Sequence, residues 1–170
     1  STIGTLAIYT RFSENKDKYP DGTSRTISRE LADIIQTQIV EDMRNTYASN
    51  WNRRPLWDRS YVEARVPEIP SILLEMFSHQ NFQDMKYGLD PKIQFTISRS
   101  IYKGILKYVA FTQNREYTVQ PLPIKNFSTN LYFGNKPTAQ LQWEERIFPL
   151  EESVTADHYI VYTQVFDINN

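Results

Sequence analysis

One carboxylate in this chain stands where enzymes often place their chemistry. Residues 67–84 (PEIPSILLEMFSHQNFQD) hold a short apolar run that follows two prolines and ends in Glu75. A short apolar run between turn residues predicts a strand buried on both faces, the kind found inside a parallel sheet. Glu75 would then lie at the carboxyl end of that strand, where open α/β sheets bind their ligands. We therefore take Glu75 as a candidate catalytic acid; the alternative is that it caps the next turn or pairs with an arginine.

Tryptophan and arginine are concentrated just before this strand, in residues 51–65 (WNRRPLWDRSYVEAR). These side chains could bind a sugar or an anionic group by stacking and by bidentate hydrogen bonds, and we assign substrate binding to Arg65. The alternative is a loop pinned by its two tryptophans with solvated arginines around it. After the strand, His79 is expected to be a turn residue that could also line a cleft.

Composition bounds the class of protein. The chain has 170 residues, of which 40% are hydrophobic and 23% charged, as in ordinary globular domains. A net charge of −1 gives no field that would attract nucleic acid. Without cysteine there is neither a disulfide framework nor a thiolate metal site. No apolar run approaches the roughly 20 residues that span a bilayer.

The elements that must position Glu75 follow from hydrophobic spacing. Residues 4–10 predict a strand, and apolar residues spaced by three and four from Ile27 predict an amphipathic helix ending near Met43 or Tyr47. Asp90 as N-cap and Pro91 at the first position open a second helix, whose isoleucines repeat every four residues. Gly104 inside that helix predicts a close approach of its backbone to the sheet.

The alternation of strand and helix predicts an α/β layer with a partial parallel sheet flanked by helices. This layer accounts for residues 1–113. Residues 114–136 carry two prolines and no helical stripe, which indicates a linker. Residues 138–144 and 158–166 alternate as strands, so residues 137–170 predict the start of a β-module.

The strand that ends in Glu75 also carries a family resemblance. A proline, a small residue, an apolar strand and a glutamate, followed by Asn81 and Asp84, resemble the hallmark of zinc-dependent N-acetylmuramoyl-L-alanine amidases, a bacterial cell-wall family. Residues 4–9, 28–36 and 97–108 resemble the strand, the helix and the closing helix of the second half of that domain. The form Leu-Glu-Met-Phe-Ser-His-Gln-Asn is similar to a Bacteroidetes branch whose members are often labelled xanthan lyase and append fibronectin type III-like modules. Residues 137–170 resemble the start of such a module, a partial β-sandwich.

The resemblance implies a reaction and a site. It implies hydrolysis of the muramoyl–L-alanine amide or a related glycan substrate, with Glu75 moving the proton of a zinc-bound water and Asn81 near the substrate. It also implies that the three zinc ligands, two histidines and a glutamate, precede the strand at residue 4. The two histidines of the chain, His79 and His158, are too few for a zinc site, so zinc is expected in a complete enzyme and not in this chain alone.

Two further functions stay open beside the amidase. One is a non-catalytic scaffold that binds carbohydrate or cell wall and keeps the amidase-like fold. The other is a polysaccharide lyase acting on xanthan, which would need a tyrosine or lysine base beside a uronic carboxylate. All three imply a bacterial protein of the cell envelope or the extracellular space, with peptidoglycan or another polysaccharide as partner. An unpaired edge of the strand at residues 4–10 also predicts association through that edge.

Overall fold

A computed structural model describes residues 3–13, 16–151 and 154–164. The chain divides into two compact units, Ser1–Thr118 and Val119–Asn170. The elements of the first unit are β1 (Leu6–Tyr9), α1 (Ile27–Thr46), β2 (Trp57–Asp58), α2 (Val62–Arg65), β3 (Leu73–Glu75), α3 (Phe82–Gly88) and α4 (Pro91–Gln113). The second unit contains β4 (Lys125–Tyr132) and β5 (Thr138–Glu144). The protein is therefore of mixed α/β class.

The sheet of the first unit is mixed, so the expectation of a purely parallel sheet is wrong. Its strand order is β2-β1-β3. β2 runs parallel to β1, with Ile8 opposite Trp57, whereas β3 runs antiparallel to it, with Leu6 opposite Glu75. The two-residue strand β2 carries no pattern that the sequence could reveal. After α1 the chain returns as β2, which pairs with β1 in parallel. After α2 it returns as β3, which pairs with the other side of β1 in the antiparallel direction.

The central strand β1 is paired on both edges. β2 covers one edge and β3 the other, and all four of its residues are buried. The reason given for association through an open edge of this strand therefore fails. Among the described residues the free edges of this sheet belong to β2 and β3, which are two and three residues long, and edges this short offer little for another chain to pair with.

Both long helices form where the apolar spacing predicts them. α1 begins at Ile27 and ends at Thr46. α4 begins at Pro91, and its N-cap Asp90 accepts a hydrogen bond from the Lys92 backbone N–H at 2.8 Å. This side-chain cap satisfies a backbone donor that the first turn of α4 leaves free. The apolar faces of α1 and α4 meet in one core, built from Leu31, Ile35, Ile39, Val40, Met43, Trp51, Ile93 and Ile97.

Gly104 of α4 lies against α1, not against the sheet as predicted. A Cβ at this position would lie 2.9 Å from both the Cα and the Cγ1 of Ile35. Real Cβ atoms do not approach other atoms this closely. The close approach is thus confirmed but its partner is a helix, because the apolar stripe of α4 fixes which face is buried and not which element covers that face.

We expect Gly104→Ala to destabilise the protein although alanine favours helix. The gain in helix propensity is about 1 kcal/mol, while overpacking a tight core contact costs about 1–3 kcal/mol and here forces two backbones apart. Urea unfolding should show a lower midpoint for the variant. Gly134→Ala is the matched control, since nothing lies within 4 Å of a Cβ built there. Equal or higher stability of Gly104→Ala would contradict the tight contact.

A buried ion pair also joins the two long helices. Lys103 Nζ of α4 lies 2.9 Å from Asp42 Oδ2 of α1, with side-chain exposures of 8% and 6%. Ser100 Oγ donates to the same carboxylate oxygen at 2.6 Å, and Gln38 Nε2 donates to Oδ1 at 3.0 Å. Because each oxygen of Asp42 is hydrogen-bonded, the cluster compensates much of the cost of removing its charges from water.

Removing the negative charge of Asp42 should show how much it costs to bury the Lys103 ammonium without its partner. We expect Asp42→Asn to lower the free energy of unfolding by about 3–5 kcal/mol, because the Lys103 ammonium then stays buried without this carboxylate. The double variant Asp42→Asn/Lys103→Met should recover a large part of the loss in the same denaturation measurement. Asp33→Asn, which breaks a more exposed pair with Arg53, should cost about 1 kcal/mol or less. Similar losses for Asp33→Asn and Asp42→Asn would refute the role of burial.

The second unit is an antiparallel hairpin. β5 spans residues 138–144 as predicted, but its partner β4 lies inside residues 114–136, which were predicted to be a linker. The ladder is irregular between Lys125 and Ser128, where Asn126 has a φ of 54°. The pKa of the Glu144 carboxyl is lowered, most by a hydrogen bond from the Asn126 side chain and next by one from the Lys125 side chain. The hairpin is therefore tied at its open end by polar side chains.

The predicted strand at residues 158–166 does not form over residues 158–164, and residues 165 and 166 lie outside the described part of the chain. Tyr159 instead contacts Trp143 of β5 edge to face, with ring centroids 5.1 Å apart. The fibronectin type III-like sandwich is thus not confirmed. In the described ranges no helix is long and apolar enough to cross a membrane.

Candidate functional site

Glu75 is the last residue of β3 and lies at the edge of the sheet where β1 begins. Its backbone pairs with Leu6, the first residue of β1. Its side chain is 48% exposed, although Leu6 beside it is fully buried. Because β3 is antiparallel, this edge is opposite to the one where β1 and β2 end, so Glu75 does not share an edge with the carboxyl ends of the parallel strands.

Arg54 holds a position at the same edge. Its backbone N–H donates to the Thr5 carbonyl at 3.0 Å, and its Nη1 lies 3.9 Å from Glu75 Oε2. Glu75 thus pairs with an arginine, which is the structural role considered from the sequence. At this distance and exposure the pair contributes little stability, so the carboxylate stays accessible to solvent and to a ligand.

A buried amide fixes this edge to α1. Gln36 Nε2 donates to the carbonyl oxygens of Thr5 at 2.7 Å and of Arg54 at 2.9 Å. Gln36 is fully buried. Its two hydrogen bonds hold the segment before β1 and the segment before β2 against α1. Gly4 precedes this contact with a φ of +85°, and a Cβ there would lie 2.1 Å from the Asn52 carbonyl oxygen. These contacts hold the backbone of Thr5 and Arg54 in place.

The two tryptophans of the 51–65 segment have different roles. Trp51 is fully buried, its indole N–H donates to Thr5 Oγ1 at 2.8 Å, and its ring packs edge to face on Phe77 and Tyr87. Trp57 in β2 is 37% exposed. The Arg54 and Arg59 guanidinium carbons lie 5.1 and 5.9 Å from a ring centroid of Trp57.

The turn after Glu75 is built by two side chains that accept hydrogen bonds from backbone N–H groups. Asn81 is the N-cap of α3, and its Oδ1 accepts from the backbone N–H groups of Gln83 at 2.9 Å and Asp84 at 3.1 Å. Asp84 is fully buried and accepts from the N–H groups of Ser78 at 3.0 Å and Ile3 at 3.1 Å. Both side chains therefore hold the turn that follows Glu75, and substrate binding by Asn81 stays a prediction.

The remaining candidates lie elsewhere. His79 is exposed in the turn before α3, as a turn residue would be. Arg65 ends α2 and belongs to the opposite edge of the sheet, because α2 follows the end of β2. His158 of the second unit is exposed and outside any strand. The structure thus groups Glu75 with Arg54 and the Asn81 turn, and it does not group Glu75 with Arg65.

The described residues offer no ligand set that fits zinc. Nowhere in residues 3–13, 16–151 and 154–164 do three or more His, Cys, Asp or Glu side chains lie close enough together to hold a metal ion. No step of a reaction is therefore derived through a metal on these residues.

Comparison with known proteins gave no match: no family model, no curated protein and no solved structure is significantly similar to the chain. The likeness to cell-wall amidases therefore rests on the residues quoted for it alone.

Sequence reasoning missed the residues that build this edge. Gln36 follows Ile35 on the buried face of α1, and a polar residue inside an apolar stripe is a signal that it satisfies buried backbone groups. Arg54 was one of four arginines in a short segment, and its pairing with Glu75 carries no sequence signal because it depends on how β2 and β3 flank β1.

We expect Asp84→Asn to loosen the turn that follows Glu75. The neutral amide accepts more weakly and turns a donor toward one of the two N–H groups, which costs about 1–3 kcal/mol for a buried charged acceptor. Hydrogen exchange at the Ile3 and Ser78 amides should accelerate, and the unfolding midpoint should fall. Asp17→Asn, at an exposed residue, is the control and should change neither. Unchanged protection at both amides in Asp84→Asn would show that the carboxylate does not hold this turn.

Proposed function

We propose that this chain carries the proton-transferring carboxylate of a cell-wall amidase-like hydrolase, with the muramoyl–L-alanine amide or a related glycan as substrate. One observation supports the proposal most: Glu75 ends a strand of a well-packed layer with its carboxylate half exposed. A general acid–base must reach the proton it moves, and it works best when the backbone holds it in place. Glu75 meets both conditions.

The surroundings of Glu75 support the same role. Asn81 and Asp84 are the two other residues of the amidase-like motif. Their side chains accept hydrogen bonds from backbone N–H groups of the turn that follows Glu75. This leaves Glu75 as the motif residue whose side chain is available for chemistry. Arg54 supplies a positive charge on one side of the carboxylate, and such a charge could stabilise the oxyanion that develops when water attacks an amide carbonyl.

In this proposal the residues of the chain move one proton. Glu75 as a carboxylate accepts a proton from the attacking water and then returns it to the amide nitrogen that leaves. The products are a muramic acid carboxylate and a free peptide amine. The resemblance implies that a zinc ion would supply the activation of that water in a complete enzyme; the described residues include no group of three or more side chains that could hold it.

The test is hydrolysis of purified peptidoglycan by the natural polypeptide in which this chain occurs, supplied with Zn²⁺. Mass spectrometry should detect peptides with a new L-alanine amino terminus. Glu75→Gln should slow their release by about 10²–10⁴-fold, the range that general acid–base catalysis contributes, while sedimentation with peptidoglycan stays unchanged. Glu63→Gln, an exposed acid on α2, should keep full activity. Equal rates for wild type and Glu75→Gln would overturn the role of Glu75.

A non-catalytic cell-wall scaffold is the second candidate, and the exposed ring of Trp57 between two arginines favours it. An aromatic face with polar neighbours suits stacking on a sugar ring. The same experiment separates the two functions: a wild type that sediments with peptidoglycan but releases no peptide is a binder. A polysaccharide lyase would instead yield an unsaturated sugar, which ultraviolet absorbance of the product detects.

A further inference from the structure

A cleft of about 330 Å³ lies at the edge of the sheet opposite to Glu75. Its lining comes from the segment between β1 and α1 and from the end of α2 with the residues that follow it. We name this cavity the Arg25 cleft. Its charged and aromatic lining residues are Lys16, Lys18, Tyr19, Arg25, Arg65 and Glu68. The carboxyl ends of parallel strands are where open α/β sheets bind ligands, and here only β1 and β2 are parallel.

Arg25 is the unusual residue of this cleft. It is only 5% exposed, and its Nε is buried without a hydrogen-bond partner. Its Nη1 donates to the Arg65 carbonyl at 3.2 Å. No carboxylate of the described residues forms an ion pair with it. Arginine is almost never buried unless it is paired, so a buried guanidinium with a free donor beside a cleft points to a missing anion.

The guanidinium of Arg25 is held in place before any ligand arrives. Its carbon lies 4.4 Å from the ring centroid of Tyr19. The Tyr19 hydroxyl shares a 2.6 Å hydrogen bond with Ser28 Oγ of α1, and Ser28 Oγ accepts from the Ser71 N–H at 3.2 Å. Tyr19 and Ser28 are both buried. Because the ring is fixed to α1 and to the segment before β3, the orientation of the guanidinium costs little on binding.

The charges around Arg25 favour an anion. Among the described residues that line the cleft, four are cationic, Lys16, Lys18, Arg25 and Arg65, and one is acidic, Glu68. The whole chain has a net charge of −1, so this positive field is local. A cleft lined by one sign of charge concentrates ligands of the other sign.

We propose that the Arg25 cleft binds a small oxyanion, a carboxylate or a phosphate group. A guanidinium donates N–H groups to the oxygens of either group, and the two lysines add charge from the exposed side of the cleft. Glu68 weakens binding by repulsion. The cleft goes beyond the hydrolase function proposed above, because it lies at the other edge of the sheet and its occupancy does not depend on Glu75.

The test is a titration of the 170-residue chain with inorganic phosphate and, separately, with acetate at constant ionic strength set by chloride. Amide chemical shifts of residues 16–28 and 65–68 should change and saturate. Lys16→Gln/Lys18→Gln removes two exposed charges and should weaken binding about tenfold, whereas Glu68→Gln should strengthen it. These variants change surface residues, so they also avoid the folding defect that a change of Arg25 could cause.

The matched control is Lys92→Gln/Lys136→Gln, which removes two exposed charges outside the cleft and should alter affinity by less than about twofold. Saturation by phosphate alone identifies a phosphate ligand, saturation by acetate alone a carboxylate ligand, and saturation by both a general oxyanion site. Shifts that do not saturate with either anion overturn the proposal. Equal weakening in the control and the Lys16→Gln/Lys18→Gln variant also overturns it, since the effect is then one of net charge.

Discussion

The contact between α1 and α4 is the constraint on which the first unit depends. Gly104 lets the two helices approach until the backbone of Ile35 lies against it, and the buried pair of Asp42 and Lys103 holds a second point further along. Both contacts come from neighbouring residues of α4, so they hold α1 against one short stretch of that helix. Since tight interiors do not deform continuously, α1 cannot shift at this point without breaking both contacts.

Polar residues of α1 and of the segment before it connect the helix to both ends of the sheet by hydrogen bonds. Gln36 binds the carbonyls of Thr5 and Arg54 and so places the edge that carries Glu75. Ser28 binds Tyr19 and Ser71 and so places the edge that carries Arg25. A single helix therefore positions two chemically different surfaces, a half-exposed carboxylate at one edge and a buried guanidinium at the other.

The mixed direction of the strands separates these surfaces. In a parallel sheet, Glu75 would lie at the same edge as the segments that follow β1 and β2, and its carboxylate would face their cations. Because β3 is antiparallel to β1, the acid and the cationic cleft lie at opposite edges. The half-exposed carboxylate and the cationic cleft therefore do not face each other, as the proposed proton-transfer and oxyanion roles require.

The sequence by itself determined the strand at β1, the two long helices with the cap of α4, the strand β5 and the position of Glu75 at a strand end. These features follow from local signals: apolar spacing, an aspartate before a proline, and an acid closing an apolar run. Only the tertiary structure decided the direction of β3, the partner of Gly104, the backbone hydrogen bonds of Asn81 and Asp84, and the burial of Arg25. Each of these depends on which distant segment lies alongside, as β2 does beside β1, and a two-residue strand or a single arginine carries no periodic pattern from which that neighbour could be inferred.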